Sequence, residues 1–189
     1  KNLNITNQYF LLSLHREENV DNKIKLKNIL SSLNKISDKY NIEIIFPIHP
    51  RTLKRIEGFN LKKLVKKNFK IIPPQNFTDY ISLQKNCLCL LSDSGTVTEE
   101  ASILKIPSIM IRQTHETPEG TDYGTSILAN VSENDIINSI EMAIQHNKEN
   151  FVIKELPDNK HLQVGKIVAR TVQSYIHTIN YYTWHKKDI

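Results

Sequence analysis

The chain alternates short runs of apolar residues with longer segments in which apolar residues recur at three- and four-residue intervals. Strands that are apolar throughout are buried on both faces, as in the centre of a parallel sheet. Runs of this kind predict strands at residues 9–14, 42–47, 69–72, 87–91 and 108–112. A polar loop follows the last of them, and then comes the short segment 126–129.

Helices are predicted between these strands, and Asn76 is well suited to cap one of them. The predicted helices cover residues 23–39, 51–67 (one or two short helices around Gly58), 76–84, 96–104, 133–145 and 162–179. Because strands and helices alternate, we predict an α/β fold with a doubly wound, mostly parallel sheet and helices on both faces. No internal repeat or Pro/Gly-rich linker divides the chain, so one domain is expected.

Composition narrows the class of protein. The 189 residues are 39% apolar and 24% charged, which is close to globular averages and excludes a mainly disordered chain. Two cysteines are too few for a disulfide scaffold. No apolar run approaches the roughly 20 residues of a spanning helix, and the first residues do not resemble a signal peptide. We therefore expect no membrane association and a reducing, cytoplasmic setting.

The net charge of +5 does not by itself indicate nucleic-acid binding. Most of the excess is lysine, distributed between Ile and Leu in segments such as NKIKLKNIL and LKKLVKKNFK, as on a solvated helix face. The sequence has no basic strip interleaved with aromatic residues and no helix-turn-helix pattern. We therefore expect no nucleic-acid partner.

Polar and cationic residues follow most of the predicted strands. An open parallel sheet binds ligands beyond the carboxyl ends of its strands, so these side chains are expected to gather at one edge. The group comprises His15, Arg16, His49, Ser94, Arg112 and His115. Composition alone does not readily account for this placement.

The segment SDSGTVTEE, residues 92–100, is the strongest single element. It leads from a strand through Ser94, Gly95 and Thr96 into a helix, whose unpaired backbone N–H groups suit a phosphate. Gly95 lets the backbone approach a ligand closely, and Glu100 can accept hydrogen bonds from sugar hydroxyls. The competing interpretation is a capping box, Thr96-x-x-Glu99, that only starts the helix, and we favour it for Glu99. Asp93 would cap the turn or orient Ser94.

The remaining edge residues each have two interpretations. His15 and Arg16 offer donors for a diphosphate and His15 can move a proton, but Glu17 and Glu18 can instead pair locally with Arg16 at a solvated strand end. His49 precedes a proline, which holds it extended, and it serves the same edge only if the strand prediction is right. His115 and Glu116 either act together as a base or belong to a polar loop without a role in the site.

Several common chemistries lack their motifs. The histidines are far apart in sequence, and neither HExxH nor CxxC is present, so no metal is expected. Without GxGxxG or a Walker A motif, neither a nicotinamide site nor a P-loop is supported. Without GxSxG, a serine hydrolase elbow is not supported either.

Four motifs together resemble the non-hydrolysing UDP-N-acetylglucosamine 2-epimerases. They are LHREEN (14–19), FPIHPRT (46–52), LSDSGTVTEEA (91–101) and IRQTHETPEGTDYGT (111–125), and their order and spacing agree from about Tyr9 to the last helix. The resemblance is to the second half of that family only. It implies a Rossmann-like half of a glycosyltransferase-B arrangement, with the active site between two domains. Residues 1–189 would form the C-terminal nucleotide-binding domain (core about 9–160, final helix 161–180), without the N-terminal domain.

The resemblance also implies roles for single residues. His15 is similar to the family's active-site histidine, and the turn at residues 94–96 is similar to its phosphate-binding turn. Glu100 resembles the carboxylate that holds the ribose hydroxyls, Tyr80 an aromatic position against the uracil, and His49 a histidine near the nucleotide. Arg16 and Glu18 resemble part of an allosteric UDP-sugar site in some bacterial members.

The family's reaction inverts C2 of the sugar: the C2 proton is removed, UDP leaves to give a glycal, and UDP adds back without metal or nicotinamide. Because the family's catalytic carboxylates lie in the first domain, we expect this chain alone to bind nucleotide weakly without turnover. A homodimer is expected for the complete protein.

The residues near the C-terminus include four aromatic side chains, Tyr175, Tyr181, Tyr182 and Trp184. They would either contact the N-terminal domain of the family or cap the core of their own domain.

Two departures from the family pattern leave the substrate open. Thr117 stands where the family carries an arginine that meets the phosphates, and Arg112 or His115 would have to compensate. The SDSGT turn also resembles a branch acting on 6-deoxy sugars, the UDP-N-acetyl-L-fucosamine 2-epimerases. A glycosyltransferase half and a non-catalytic nucleotide-binding module are the alternative functions.

Overall fold

The computed structural model describes residues 8–114, 118–157 and 163–186. Six parallel strands form one sheet within these residues. The strands are β1 (Tyr9–Ser13), β2 (Glu43–Pro47), β3 (Phe69–Ile72), β4 (Cys89–Ser92), β5 (Ser108–Ile111) and β6 (Ser126–Ala129). The five predicted strands are confirmed, with small shifts at their ends, and the segment 126–129 is a sixth strand. Cys87, predicted to lie in the fourth strand, instead follows helix α4 as its C-cap.

The predicted helices are present with shifted ends, and two short helices, at Glu17–Val20 and Glu119–Asp122, were not predicted. Together they are α1 (Glu17–Val20), α2 (Lys23–Tyr40), α3 (Pro50–Gly58), α4 (Phe77–Asn86), α5 (Val97–Leu104), α6 (Glu119–Asp122), α7 (Glu133–Lys148) and α8 (Val164–Tyr182). A 3₁₀ turn at Lys62–Leu64 completes the region around Gly58. Asn76 caps α4 as predicted, because its side chain accepts a hydrogen bond from the Asp79 N–H.

The strand order is β3-β2-β1-β4-β5-β6, which confirms the doubly wound parallel sheet. The order reverses between β1 and β4, because β1 leads outward to β2 on one side while β4 leads to β5 on the other. In open α/β sheets, ligands bind beyond the carboxyl ends of the strands at this reversal point. We call the side of the sheet where the strands end the carboxyl edge.

Alternate residues of the central strands pack against opposite layers. Phe10 and Leu12 of β1 belong to the larger core cluster, which includes Leu30 of α2 and Ile136 of α7. Tyr9 and Leu11 of the same strand belong to the smaller cluster, which is formed with α4 and α5. Burial on both faces explains why these strands are apolar throughout.

The described sheet and its helices α1–α7 lie in one compact unit, residues 1–156, and α8 belongs to a second unit, residues 157–189. Within α8, apolar residues recur at three- and four-residue spacing, as in an amphipathic helix. They are Val164, Ile167, Val168, Val172, Tyr175, Ile176 and Ile179. None of the helices in the described parts of the chain is long and apolar enough to span a bilayer.

Candidate functional site

Strands β1 and β4 end side by side at the reversal point. Ser13, the last residue of β1, is in register with Ser92, the last residue of β4. The two loops that follow therefore leave the sheet at the same level. One loop carries His15 and Arg16, and the other carries Asp93, Ser94 and Gly95.

The side chain of Asp93 joins the two loops. It is fully buried, and its oxygens accept hydrogen bonds from the backbone N–H groups of His15 (3.1 and 3.2 Å) and Arg16 (2.9 Å). The Asn19 amide lies 3.4 Å from the same carboxylate and also donates to the Ile111 carbonyl at 2.9 Å. Asp93 therefore organises the loop after β1, and the prediction that it orients Ser94 is not supported by these contacts.

Burial and hydrogen bonding act in opposite directions on Asp93. Burial raises the pKa of its carboxyl above the usual range, and the hydrogen bonds from the Arg16 and His15 backbone and the nearby imidazole offset only part of this rise. His15 Nδ1 lies 3.3 Å from Asp93 Oδ1, and the His15 side chain is 44% exposed. A buried acid therefore lies directly behind an imidazole that reaches the surface.

The turn between β4 and α5 is held by hydroxyl groups. Ser92 Oγ accepts a hydrogen bond from the Ser94 N–H at 3.0 Å, and Ser94 Oγ lies 3.1 Å from Thr96 Oγ1. The Thr96 hydroxyl donates to Glu100 Oε1 at 2.7 Å. The predicted capping box between Thr96 and Glu99 is therefore wrong. The backbone of Thr96 is helical (ψ −3°), whereas a side-chain cap needs an extended residue there.

Glu100 has a second donor that the sequence analysis missed. Gln84 is fully buried, and its Nε2 donates to Glu100 Oε2 at 2.5 Å. Tyr80 lies one turn before Gln84 on α4, and both residues are in the part of α4 next to Glu100. Burial raises the pKa of Tyr80 to about 12, with the charge of Glu100 adding to the effect. The i, i+4 spacing of Tyr80 and Gln84 was the available signal, since it places them on one helix face.

Two arginines line a cavity of about 310 Å³ beside the turn. Its walls are Arg16, Ser94, Gly95, Thr96, Glu99, Met110 and Arg112. Arg112 is buried, and its Nε lies 3.1 Å from Glu18 Oε1. Glu99 Oε2 is buried without a hydrogen-bond partner in the described part of the chain. The cavity therefore combines cationic side chains with the amino end of α5, an arrangement suited to an anion.

Glu17 and Glu18 do not pair with Arg16, contrary to the local interpretation of this segment. Glu18 pairs with Arg112, and Glu17 lies 2.5 Å from Arg51 at the start of α3. These acidic side chains bridge to other strand ends because α1 turns them away from their own loop. The pairing connects the loop after β1 with the loops after β2 and β5.

His49 lies at the same edge, next to His15. It caps α3, and its Nδ1 accepts a hydrogen bond from the Arg51 N–H at 3.2 Å. The ring centroids of His15 and His49 are 6.4 Å apart. The placement of His49 at the carboxyl edge follows from the second strand, as predicted.

Ion pairs between Asp21 and two arginines connect the loops that carry His15 and His49. Asp21 pairs with Arg51 at 2.5 Å and with Arg55 at 2.8 Å. Hydrogen bonds from Arg51 and Arg55 lower the pKa of Asp21 to about 2. This network attaches the end of α1 to α3 and so holds the two histidine loops against each other.

The structure thus brings nine of the ten sequence-predicted site residues to one edge of the sheet. They are His15, Arg16, His49, Tyr80, Ser94, Gly95, Thr96, Glu100 and Arg112. The tenth, His115, lies outside the described residues, as do Glu116 and Thr117. No three His, Cys, Asp or Glu side chains of residues 8–114, 118–157 and 163–186 are arranged to hold a metal ion.

The doubly wound sheet has a cavity lined by two arginines and the amino end of α5 at its reversal point, which is where open α/β sheets bind their ligands. The comparison with known families is more specific. Residues 1–172 match the family model described as UDP-N-acetylglucosamine 2-epimerase. The chain belongs to the UDP-N-acetylglucosamine 2-epimerase family.

Individual relatives agree with this assignment. The UDP-N-acetylglucosamine 2-epimerase of Methanocaldococcus jannaschii is 45% identical over 142 residues, covering 74% of this chain and 39% of that protein. The UDP-2,3-diacetamido-2,3-dideoxy-D-glucuronate 2-epimerase of Pseudomonas aeruginosa is 31% identical over 169 residues, covering 89% of this chain and 44% of that protein. The chain thus spans less than half the length of these relatives.

A solved structure of the Methanocaldococcus jannaschii enzyme, in complex with UDP-GlcNAc and UDP, is similar to the chain with a TM-score of 0.77. The two are 40% identical, and the match covers 88% of this chain and 45% of that one. The fold class expected from the resemblance is therefore confirmed.

Proposed function

We propose that this chain is the UDP-binding half of a non-hydrolysing UDP-N-acetylhexosamine 2-epimerase, an isomerase that inverts C2 of its sugar. The observation that carries the proposal is the convergence of Asp93-anchored His15, the Ser94–Thr96 turn and Glu100 at the reversal point of the sheet. Family membership and the UDP-bound relative support the choice of ligand.

Each part of UDP has a matching group at this edge. The diphosphate would lie at the amino end of α5, between the turn and the arginine-lined cavity, where N–H groups and Arg16 and Arg112 favour negative charge. The two ribose hydroxyls would donate to Glu100, whose oxygens each hold one protein donor and keep further lone pairs. The ring of Tyr80 would lie against the uracil.

His15 is the proposed catalytic residue of this half. Its exposed imidazole lies beside the proposed diphosphate position, where a protonated ring would donate a charge-assisted hydrogen bond to the departing UDP. His49 would contact the same nucleotide from the neighbouring strand end. Thr117 stands where the family has a phosphate-binding arginine, and His115 and Arg112 would supply the positive charge in its place.

The complete activity requires residues outside this half. We propose that an N-terminal domain supplies the groups that remove and return the C2 proton, and that the complete protein is a homodimer. The apolar face of α8 would then pack on that domain rather than on its own core. A cytoplasmic enzyme that supplies UDP-N-acetylmannosamine or a related sugar for cell-surface polysaccharides is the setting we propose.

Binding and chemistry need separate tests. Calorimetry of this chain with UDP should show weak, saturable binding that is lost in the Ser94→Ala/Glu100→Ala variant. Joined to an N-terminal half, the protein should convert UDP-N-acetylglucosamine without an acceptor, and in D₂O deuterium should enter C2. Sugar transfer only when an acceptor is added would indicate a glycosyltransferase. UDP binding without any exchange in the joined protein would indicate a binding module.

A further inference from the structure

An acidic side chain contacts one of the two arginines at the cavity beside the α5 turn. Arg112 forms part of the cavity wall, and its Nε donates a hydrogen bond to Glu18 Oε1 at 3.1 Å. Glu18 itself is not part of that wall. A carboxylate in this place either competes with an anionic ligand for the arginine or holds the arginine in position for that ligand.

The atom that Glu18 contacts favours positioning over competition. A guanidinium offers five N–H donors in a rigid planar fork, and it binds a carboxylate or phosphate best through two of them at once. The hydrogen bond to Glu18 uses Nε, at the base of the fork, rather than either terminal nitrogen. It therefore sets the plane and direction of the fork, and Glu18 does not cover the edge formed by the two terminal nitrogens.

The fold holds both partners of this pair. The Arg112 side chain is only 6% exposed, and its backbone N–H donates to the Ala129 carbonyl at 3.1 Å, which continues the pairing of β5 with β6. Helix α1, which carries Glu18, is attached to the same strand end. Asn19, the next residue, is buried, and its amide donates to the Ile111 carbonyl at 2.9 Å. The pair therefore joins two fixed points, unlike an ion pair between mobile surface side chains.

We propose that Glu18 is a positioning residue that holds the Arg112 guanidinium in the cavity wall before the ligand arrives, ready for the diphosphate of UDP. The proposal deepens the proposed function and rests on it for the identity of the ligand. Ordering a side chain with many rotamers during binding lowers affinity, and a side chain that is already ordered avoids that cost. The neighbouring acid, Glu17, pairs with Arg51 outside the cavity, so it carries the same charge without this role.

The two possible roles of Glu18 predict opposite changes in UDP affinity when it is replaced. If Glu18 competes with the ligand or acts only through its charge, removing it should tighten UDP, because a negative charge near an anion is lost. If it positions Arg112, Glu18→Ala should weaken UDP about fivefold in calorimetry with this chain. Glu18→Gln keeps a neutral acceptor for Nε, so its UDP affinity should stay within about twofold of the unsubstituted chain.

Glu17→Ala is the matched control, because it removes the same charge one residue away and should change UDP affinity less than about twofold. Unchanged or tighter binding by Glu18→Ala would overturn the proposal, and so would equal losses in the Glu17→Ala and Glu18→Ala chains. A Glu18→Gln chain as weak as Glu18→Ala would assign the effect to the charge and contradict positioning by the hydrogen bond. If Glu18→Ala does not fold, Glu18→Asp replaces it in every assay, because its shorter side chain withdraws the carboxylate from Nε.

The contact itself can be observed without nucleotide. The side-chain Nε–H signal of Arg112, assigned in ¹H–¹⁵N spectra by its absence from Arg112→Lys, should exchange slowly with water. Exchange should become fast in Glu18→Ala but not in Glu17→Ala, and equal protection in Glu18→Ala would overturn the proposal. If the unsubstituted chain does not bind UDP, the proposed function fails together with the ligand-binding role of Arg112, and the Nε–H signal still decides whether Glu18 holds the guanidinium.

Discussion

The cavities at the two edges of the sheet differ more in the chemistry of their walls than in their volumes. At the amino edge, where the strands begin, a cavity of about 420 Å³ lies between β5, β6 and α7, with Ile127, Leu128, Met142 and Phe151 among its walls. At the carboxyl edge the cavity beside the α5 turn is smaller, about 310 Å³, but it is lined by two arginines and a helix amino terminus. Volume alone would select the wrong edge.

The direction of the chain explains the contrast. In a parallel α/β sheet every helix begins near the carboxyl edge and ends near the amino edge, so unpaired N–H groups collect only at the first. At the amino edge helices finish in left-handed residues, Asn41 (φ 52°) after α2 and Lys105 (φ 55°) after α5, which turn the chain back into the sheet. The carboxyl edge is thus the one prepared for an anion.

The largest difference should appear when buried polar groups at the two edges are removed. Asp93→Ala removes the buried carboxylate that accepts from the part-buried N–H groups of His15 and Arg16, and it should lower the free energy of unfolding by about 3 kcal/mol. Ser126→Ala at the amino edge removes a buried hydroxyl whose hydrogen bond to Ser108 is long, 3.4 Å, and should cost below about 1 kcal/mol. Urea denaturation measures both, and equal losses would contradict the comparison.

A second test concerns packing behind the α5 turn. A Cβ added to Gly120 would lie 1.9 Å from Thr98 Cγ2, so Gly120→Ala should lower the free energy of unfolding by about 2 kcal/mol. Gly58→Ala is the matched control, because a Cβ there meets nothing within 4 Å and should stabilise by about 0.5 kcal/mol. The same denaturation assay compares them, and a neutral Gly120→Ala would show that this packing is looser than described.

Consecutive acids on α5 offer a third test, this time of binding. Glu100 is held by Thr96 and Gln84, whereas Glu99 faces the arginine-lined cavity. Glu100→Gln removes a charged acceptor for the ribose hydroxyls and should weaken UDP about tenfold, which corresponds to about 1.4 kcal/mol. Glu99→Gln should change the UDP affinity less than threefold. Calorimetry that ranks the two variants in reverse would refute the proposed ribose contact.

The smallest effect should be the acid dependence of the α1–α3 connection. The pKa of Asp21 is about 2 in the folded chain, below the roughly 3.9 of an unfolded Asp, so its contribution is present above about pH 4 and lost as the pH falls toward 2. Asp21→Asn should flatten the fall in unfolding free energy over that interval. The Arg51→Ala/Arg55→Ala chain should show the same flattening. If the unfolding free energy of either variant falls with pH as steeply as that of the unsubstituted chain, the pairing of Asp21 does not cause the acid dependence.

Periodicity and topology carried most of the fold prediction. Continuous apolar runs located the strands because both faces of a central parallel strand are buried, as Phe10 and Leu11 show. The rule for open sheets then brought His15, His49 and Ser94 together without any knowledge of contacts. The segment 126–129, which forms β6, was singled out in the sequence without being assigned as a strand.

The unpredicted features depend on side-chain direction and on distant partners. Asp93 bonds to a loop 77 and 78 residues away, and Gln84 reaches Glu100 from another helix. Thr96 has the right spacing for a capping box, but its helical backbone turns its hydroxyl toward Glu100. Sequence spacing fixes neither a backbone angle nor a rotamer, so the residues TVTEE are compatible both with a capping box and with the observed bond from Thr96 to Glu100.

Backbone amide shifts of the labelled chain, followed during titration with UDP, test the central claim most directly. The account predicts that the largest changes occur at the carboxyl edge, at His15, Arg16, Ser94, Gly95 and Val97, with Ile127 and Phe151 at the amino edge unmoved. Changes concentrated around Ile127 and Phe151, or no saturable change at all, would contradict it.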